Sequence, residues 1–299
     1  MLRILRQLRE ATIKSFEHDV LGTAKAAAYS AILGVFPALL VLTAVLAVAP
    51  GSYSLRGEVR GALDEILPRE VMDLAQAYLQ YQHQRSIQVL FTAVFISMFG
   101  GMGVMLSLME GFRRAYRIKR NAWNFWKQHI LALLLIPSCL VPMASATLVV
   151  IFGHQIELWM IANANFGLRS YVLIFWMVVR WTIAMATCVS VLTVIYHFGT
   201  PHPHSWKWVL PGALLSTVLW FVTTLLFGWY VTRFADYSVV YGSLGAAVAT
   251  LVWLYITSVA VLFGGEFNAR IAPLPATPAL PTGGGADEIA VTPDRPPTA

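Results

Sequence analysis

Charged side chains are scarce in this sequence. Asp, Glu, Lys and Arg together make up 12% of its 299 residues, about half the share that a soluble domain carries. Hydrophobic residues make up 58%, so a fold in water could not cover its apolar surface with polar side chains. The composition therefore excludes an ordinary soluble protein and indicates a protein of the lipid bilayer.

Cysteines and catalytic sequence motifs are also rare. Cys139 and Cys188 lie in apolar stretches, outside any CxxC pair, which favours buried side chains over a disulfide or a metal site. The sequence contains no G-x-x-x-x-G-K-[ST] phosphate-binding loop and no G-x-S-x-G nucleophile motif. His197, His202 and His204 fall within eight residues, but no HExxH motif, cysteine pair or carboxylate cluster accompanies them. We therefore expect no cofactor, no metal site and no enzymatic activity.

Six apolar stretches are each long enough to span a bilayer. A helix rises about 1.5 Å per residue, so roughly 20 apolar residues cross the hydrocarbon core. The last stretch, from Leu244 to Phe263, carries no charge and is apolar on all sides. The sequence therefore predicts an all-α polytopic membrane protein with six transmembrane helices, at about residues 26–49, 87–109, 129–152, 171–196, 209–231 and 244–266.

The segments outside these spans differ in composition. Residues 1–25 are basic and place several leucines on one side of a helix, which predicts an interfacial helix on the cytoplasmic leaflet. Residues 50–86 combine apolar positions at helical spacing with acidic residues, so we expect amphipathic helices in this first outer loop. Residues 271–299 are rich in Pro and Gly, a composition that predicts a disordered tail.

The distribution of basic residues predicts the orientation of the chain. Counted with the amino terminus inside, the inner segments contain fourteen Lys and Arg, the outer loops six and the fourth span one. Because cytoplasmic segments carry an excess of Lys and Arg, we expect both termini in the cytoplasm. The densest inner loop, residues 110–128, contains Arg113, Arg114, Arg117, Lys119, Arg120 and Lys127 against Glu110 alone.

Arg180 is the strongest candidate for a functional residue. It lies about nine residues into the fourth predicted span, and therefore near the midplane of the bilayer. A charge at that depth costs about 3 kcal/mol on insertion scales unless it is paired or hydrated. We interpret Arg180 as an anion-binding group or as part of a polar cavity inside the bundle. The alternative is a structural ion pair with Asp236 or Glu157.

Small residues and prolines mark candidate packing surfaces. The first turns of the last span hold four small residues, which predict close approach of another helix. The second span holds three glycines, which predict close backbone contact or a local break. Pro37 removes a backbone donor from the first span and predicts a bend. The small residues are Gly242, Gly245, Ala246 and Ala249 in the last span and Gly100, Gly101 and Gly103 in the second.

Three polar residues at the ends of spans are further candidates. Glu110 precedes the basic loop, and we interpret it as an interfacial residue or as an ion-pair partner of that loop. Glu266 and Asn268 lie at the end of the last span, where we predict a solvated helix end. The alternative for both is binding of a polar head group or hydration of a cytoplasmic gate.

Four segments resemble, in order, the YihY/BrkB family of bacterial inner-membrane proteins. They are DVLGTAKAAAYSAILGVFPALLVL, MEGFRRAYRIKRNAWNFWKQHILALLL, PGALLSTVLWFVTTLLFGWYV and YGSLGAAVATLVWLYITSVAVLFGGEFNAR. The resemblance covers about Asp19 to Arg270 and implies six helices, cytoplasmic termini and an inner-membrane location. It also implies a role in virulence or serum resistance, or in envelope lipid export. The positions that match the motifs are Tyr29, Pro37, Glu110, Pro211, Gly212, Tyr241, Gly242, Gly245, Glu266 and Asn268.

These observations favour a transporter or flippase-like protein for a lipid or another amphiphilic envelope component. A non-transporting scaffold for envelope machinery is the alternative. A membrane-tethered ribonuclease, an older label of the family, is disfavoured because the residues supply no cluster of metal ligands on one aqueous side. We expect membrane lipids and an amphiphilic substrate as partners, and no binding of nucleic acid. The sequence is compatible with a homo-oligomer as well as a monomer. Substrate binding or gating is assigned to Arg180, Glu110, Glu266, Asn268, Tyr29, Pro37, Asp236, Tyr241, Gly242 and Gly245.

Overall fold

The computed structural model describes residues 2–48, 87–119, 124–163, 166–201, 205–234 and 243–272. Within these residues the chain forms seven α-helices and no strand. The last six helices are long and apolar enough to cross a membrane, so the predicted all-α class with six membrane-spanning helices is confirmed. The helices are α1 (Leu2–Glu17), α2 (Val20–Val48), α3 (Ile87–Ala115), α4 (Phe125–Asn163), α5 (Phe166–Phe198), α6 (Trp206–Phe234) and α7 (Ser243–Ile271).

Several helices extend beyond the predicted spans. α4 continues to Asn163 and α5 begins at Phe166, so Glu157 and Arg169, which the composition places in an outer loop, lie within helices. A charged residue beyond the hydrocarbon core does not interrupt the backbone hydrogen bonds of a helix. α6 begins at Trp206, and Pro211 lies in its second turn.

Some predicted features lie outside the described residues. These are the amphipathic helices of residues 50–86 and the tail beyond residue 272. Three candidate site residues and two histidines are also outside. They are Asp236, Tyr241, Gly242, His202 and His204.

The six long helices follow one another around the bundle. Each helix from α2 to α6 packs along the next one in sequence. α7 closes the ring because it packs against both α6 and α2, and it also contacts α1 and α3. The last helix is therefore surrounded by elements from four other parts of the chain.

The main buried core lies at one end of this ring. It combines residues from the starts of α2 and α6 with residues from the ends of α3, α5 and α7. We call this the sealed end, and it is the end that carries the basic segments. Its buried members include Val20, Ala24, Leu108, Phe112, Val191, Ile195, Tyr196, Val209, Ala213 and Leu262.

Two glycines bring α2 and α3 into direct backbone contact. A Cβ atom added to Gly100 would lie 2.5 Å from the Cα of Gly34, and one added to Gly34 would lie 3.2 Å from the Cα of Gly100. Helix α3 is continuous through its three glycines, so they serve close contact and not a local break. In lipid, where apolar surface alone does not hold helices together, such contact provides the packing energy.

This contact predicts an asymmetric response to added methyl groups. Gly100→Ala should lower the stability of the detergent-solubilised protein by about 1–3 kcal/mol, because α2 and α3 must separate to admit the methyl. Gly228→Ala is the matched control, because a Cβ there meets nothing within 4 Å, and it should change stability by less than about 0.5 kcal/mol. Thermal melting followed by size-exclusion chromatography measures both. Equal melting temperatures for the two variants would contradict the contact.

Candidate functional site

The end of α7, with the sequence GGEFNAR, lies in the middle of the sealed end. Glu266 and Asn268 are both 0% exposed. The prediction of a solvated helix end is therefore wrong for both residues. Both side chains are buried because α7 packs against α1, α2, α3 and α6, which separate them from water.

Asn268 joins α7 to the beginning of α6. Its Oδ1 accepts a hydrogen bond from the backbone N–H of Gly212 at 2.7 Å, and its Nδ2 donates to the carbonyl of Val209 at 2.9 Å. These two bonds flank Pro211, whose ring removes one backbone donor from this turn of α6. The Asn268 amide thus supplies hydrogen bonds where the ladder of α6 is interrupted.

A second set of hydrogen bonds joins α5, α6 and α7. The hydroxyl of Tyr196 lies 2.6 Å from Ser216 Oγ and 2.6 Å from the carbonyl of Val261. Ser216 Oγ lies 2.9 Å from the carbonyl of Ala260. Gly264 packs against both hydroxyl groups and leaves no room for a side chain. Three helices are therefore held together by buried polar contacts as well as by apolar packing.

Glu266 is the carboxylate at the centre of this end. Its Oε1 lies 2.7 Å from Nδ1 of His18, which stands in the turn between α1 and α2. Its Oε2 has no hydrogen-bond partner in the described part of the chain and lies 4.0 Å from Nη2 of Arg270. Tyr116 and Arg117, which follow α3, also interact electrostatically with Glu266. The carboxylate thus faces charged or titratable groups from three separate segments.

A second ion-pair network lies beside it on α3. Glu110 receives hydrogen bonds from Nε and Nη2 of Arg113, both at 2.7 Å, and from Nε of Arg114 at 3.0 Å. Of the two interpretations of Glu110, the structure therefore supports pairing with its own basic segment. Arg113 also donates to the carbonyl of Ile118 at 2.8 Å, and Arg114 reaches Asp19 at 3.4 Å. The network therefore ties the end of α3 to the start of α2.

Two residues with left-handed backbone conformations border the site. Asp19 has φ 55° and Arg117 has φ 53°, a conformation that costs a residue with a side chain about 1–2 kcal/mol. Asp19 caps α2 by accepting a bond from the N–H of Gly22 at 3.2 Å. Arg117 ends α3, where the N–H of Ile118 bonds back to the carbonyl of Arg113 at 2.9 Å. The surrounding contacts hold both strained turns in place.

The other predicted site residues lie elsewhere. Arg180 is partly buried within the span Leu173–Phe198 of α5, about 22 Å along the helix from the core residue Ile195. Tyr29 is exposed on α2, Pro37 is half-buried within the same helix, and Gly245 is buried near the far end of α7. The structure thus brings Glu110, Glu266 and Asn268 to one end and leaves these four residues apart from it.

The described residues contain no group of three or more His, Cys, Asp or Glu side chains that could hold a metal ion. His197 instead stacks on Trp206, with ring centroids 4.2 Å apart and 12° between the planes. Cys139 and Cys188 are free thiols.

Sequence reasoning missed four residues of the site. They share no recognisable motif, and they come from four different segments. The glycine pair directly before Glu266 was the one local signal, because adjacent glycines in an apolar helix indicate close backbone approach. The missed residues are His18, Tyr196, Ser216 and Arg270.

The bridging role of Asn268 can be tested by truncation. Asn268→Ala should destabilise the protein by about 1–3 kcal/mol, because it leaves the Gly212 N–H and the Val209 carbonyl buried without this partner. Ser258→Ala is the control on the same helix, because its hydroxyl bonds only to the carbonyl of Leu254 one turn earlier. Thermal melting in detergent should separate the two variants clearly. A melting temperature for Asn268→Ala as high as that of the control would contradict the bridge.

Comparison with known proteins supports the family resemblance. The sequence profile described as Virulence factor BrkB matches residues 13–280. The chain is 26% identical over 245 residues to the Putative ribonuclease-like protein YfkH of Bacillus subtilis (strain 168), an alignment that covers 82% of this chain and 87% of the relative. It is 23% identical over 253 residues to a UPF0761 membrane protein of Azotobacter vinelandii, covering 84% of this chain and 59% of the relative.

A second UPF0761 membrane protein, from Alkalilimnicola ehrlichii, is 24% identical over 264 residues, covering 86% of this chain and 56% of the relative. The chain therefore spans less than two thirds of the length of both UPF0761 relatives. No solved structure matches the chain significantly. The profile match includes all six membrane-spanning helices, and the chain belongs to the Virulence factor BrkB family of multi-pass membrane proteins.

Proposed function

We propose that this protein is a transporter or flippase-like protein for an amphiphilic envelope component that carries negative charge. The observation that carries the proposal is Arg180, a partly buried guanidinium within the apolar span Leu173–Phe198. A charged side chain inside a membrane span is costly, and such residues commonly mark the path of a substrate or ion. An anionic head group is the chemistry that a guanidinium binds best, through paired hydrogen bonds.

The uneven packing of the bundle supports this function. The main buried core lies at the sealed end. A smaller one of Phe227, Val231 and Ala249 joins the other ends of α6 and α7, and the apolar side chains of α5 from Leu173 to Val178 are mostly exposed. Arg180 lies two residues further along α5. This asymmetry supports a function by alternating access, which requires that a bundle close at one end while it opens at the other. A non-transporting scaffold needs no such asymmetry.

We also propose that the protein lies in a bacterial inner membrane with both termini and the sealed end on the cytoplasmic side. Basic residues at the end of α3 and just after it support this orientation, since Arg114, Arg117 and Lys119 are clustered there. Helix α1 adds support, because Ile13 and Phe16 are 49% and 69% exposed on a helix that also carries exposed arginines. This is the pattern of a helix that lies on an anionic membrane surface.

The orientation can be tested by thiol labelling. In a background that carries Cys139→Ala and Cys188→Ala, Arg233→Cys at the far end of α6 should react with a membrane-impermeant maleimide in intact cells. Lys119→Cys should react only after the cells are permeabilised. Both side chains are exposed, so neither result depends on unfolding. The reverse labelling pattern would contradict the orientation.

Transport itself can be tested in proteoliposomes. The wild-type protein should move fluorescent phospholipids or glycolipid precursors between leaflets, and Arg180→Leu should abolish this movement while membrane insertion stays intact. Arg233→Leu, which removes an exposed arginine, should retain it. Absence of movement for every labelled lipid in the wild type would favour the scaffold. Wild-type movement in Arg180→Leu would remove Arg180 from the substrate path.

The printed name of the Bacillus subtilis relative contains the words "ribonuclease-like". For this chain we propose no nuclease and no other enzymatic activity. The support is chemical, because the carboxylates of the sealed end are paired with guanidinium or imidazole groups, and none of the described residues assemble into a metal-binding group. The membrane lipids and the amphiphilic substrate are the partners that this proposal requires.

A further inference from the structure

We propose that Glu266 is a proton-binding site and that His18 is the group through which protons reach it. The proposal stands on the geometry of the sealed end and does not depend on Arg180 or on lipid movement. It assigns to this end of the bundle a chemical role, reversible uptake of a proton from the solution that faces it.

The surroundings of Glu266 leave its negative charge incompletely balanced. Its side chain is 1% exposed, and an ionised carboxylate buried away from water carries a large desolvation cost unless partners offset it. Oε1 has a hydrogen-bond partner in His18, but Oε2 has none among the described residues. Nη2 of Arg270 lies 4.0 Å from Oε2, at the limit of an ion pair and beyond the distance of a hydrogen bond. Uptake of a proton removes the charge and with it the desolvation cost.

The same surroundings argue against a second anion or a metal ion as the ligand. A second anion would be repelled by the carboxylate that it must contact. A metal ion needs three or four ligands, and the described residues offer no such group here or elsewhere. A proton requires only the carboxylate oxygen and a donor in line with it, and His18 Nδ1 lies at 2.7 Å from Oε1.

His18 provides the route from water. Its side chain is 14% exposed, whereas that of Glu266 is 1% exposed, so the imidazole stands between solvent and carboxylate. In the neutral imidazole that donates from Nδ1, Nε2 takes up a proton from water. The Nδ1 proton then passes to Oε1 of Glu266, which leaves a neutral imidazole protonated at Nε2 and a neutral carboxylic acid. The net change is one proton moved from water to Glu266, and the hydrogen bond is kept with its direction reversed.

The other groups that face Glu266 do not take this proton. Tyr116 and Arg117 approach from the end of α3 and Arg270 from α7, and the arginines are already protonated. Burial, together with the charge of Glu266, raises the pKa of Tyr116 well above its ordinary value, so its hydroxyl stays protonated. From α6, the nearest polar groups are the backbone partners of Asn268, which do not titrate. Glu110 is held in its own ion pairs with Arg113 and Arg114.

The test is a pH-difference infrared spectrum of the full-length protein in liposomes. When the pH of the medium is lowered, the wild type should gain the C=O band of a buried carboxylic acid and lose the carboxylate bands. Glu266→Gln should abolish this change. Glu110→Gln, which removes a carboxylate at the same end that does not contact His18, should retain it. Identical difference spectra for the wild type and Glu266→Gln would overturn the proposal.

A second variant keeps the test decisive if Glu266→Gln does not fold. His18→Gln replaces the imidazole with an amide, so the acid C=O band of Glu266 should shift in frequency because its hydrogen-bond partner has changed. Its hydrogen–deuterium exchange should also slow severalfold, because the amide cannot relay a proton. A band with unchanged frequency and unchanged exchange rate in His18→Gln would show that His18 is not the route, and would overturn the proposal.

Discussion

The backbones of α6 and α7 lie directly against each other at the sealed end, and the remaining contacts of this end depend on that approach. Gly212 and Gly264 leave no room for a side chain between the two helices. Because the helices are so close, the Asn268 amide reaches the backbone of α6, and the hydroxyls of Tyr196 and Ser216 reach carbonyls of α7. In a bilayer, such hydrogen bonds and close packing replace the hydrophobic force between helices.

This packing also sets the environment of Glu266, a carboxylate buried at the sealed end. Glu266 lies between Gly264 and Asn268, so the contacts that hold these two residues also hold the carboxylate away from water. The turn between α1 and α2 brings His18 to it, and the end of α3 brings Tyr116 and Arg117. The residues of α7 that contact α6 and the buried carboxylate thus lie within a few positions of one another on the same helix. A substitution here affects both, so stability and proton binding must be measured separately.

Charged side chains lie both at the sealed end and within the membrane span of α5. At the sealed end, Glu110 and Glu266 stand among arginines and a histidine, at distances that permit hydrogen bonds or ion pairs. The span of α5 contains Arg180, which is partly buried. The proposed function assigns binding of an anionic substrate to this residue and closure of the bundle to the sealed end.

Local patterns in the sequence determined a large part of this structure. Long apolar runs predicted six membrane-spanning helices, because a backbone in lipid must satisfy its hydrogen bonds within the helix. The sequence offered pairing of Glu110 with its basic loop as one of two interpretations. The structure selects Arg113 and Arg114 as the partners, because residues three and four apart share one face of a helix. The glycines of α3 predicted close contact between helix backbones, with a local break in the helix as the alternative that the sequence also allowed.

Only the tertiary structure determined whether Glu266 and Asn268 are buried or exposed. Both come after an uncharged run, so the composition predicted a solvated helix end. Their partners lie far away in the chain, with His18 248 residues from Glu266 and Gly212 56 residues from Asn268. Whether a polar residue at the end of a span meets water or protein depends on which other helices end at the same level. That depends on packing between distant segments, which no local pattern of residues encodes.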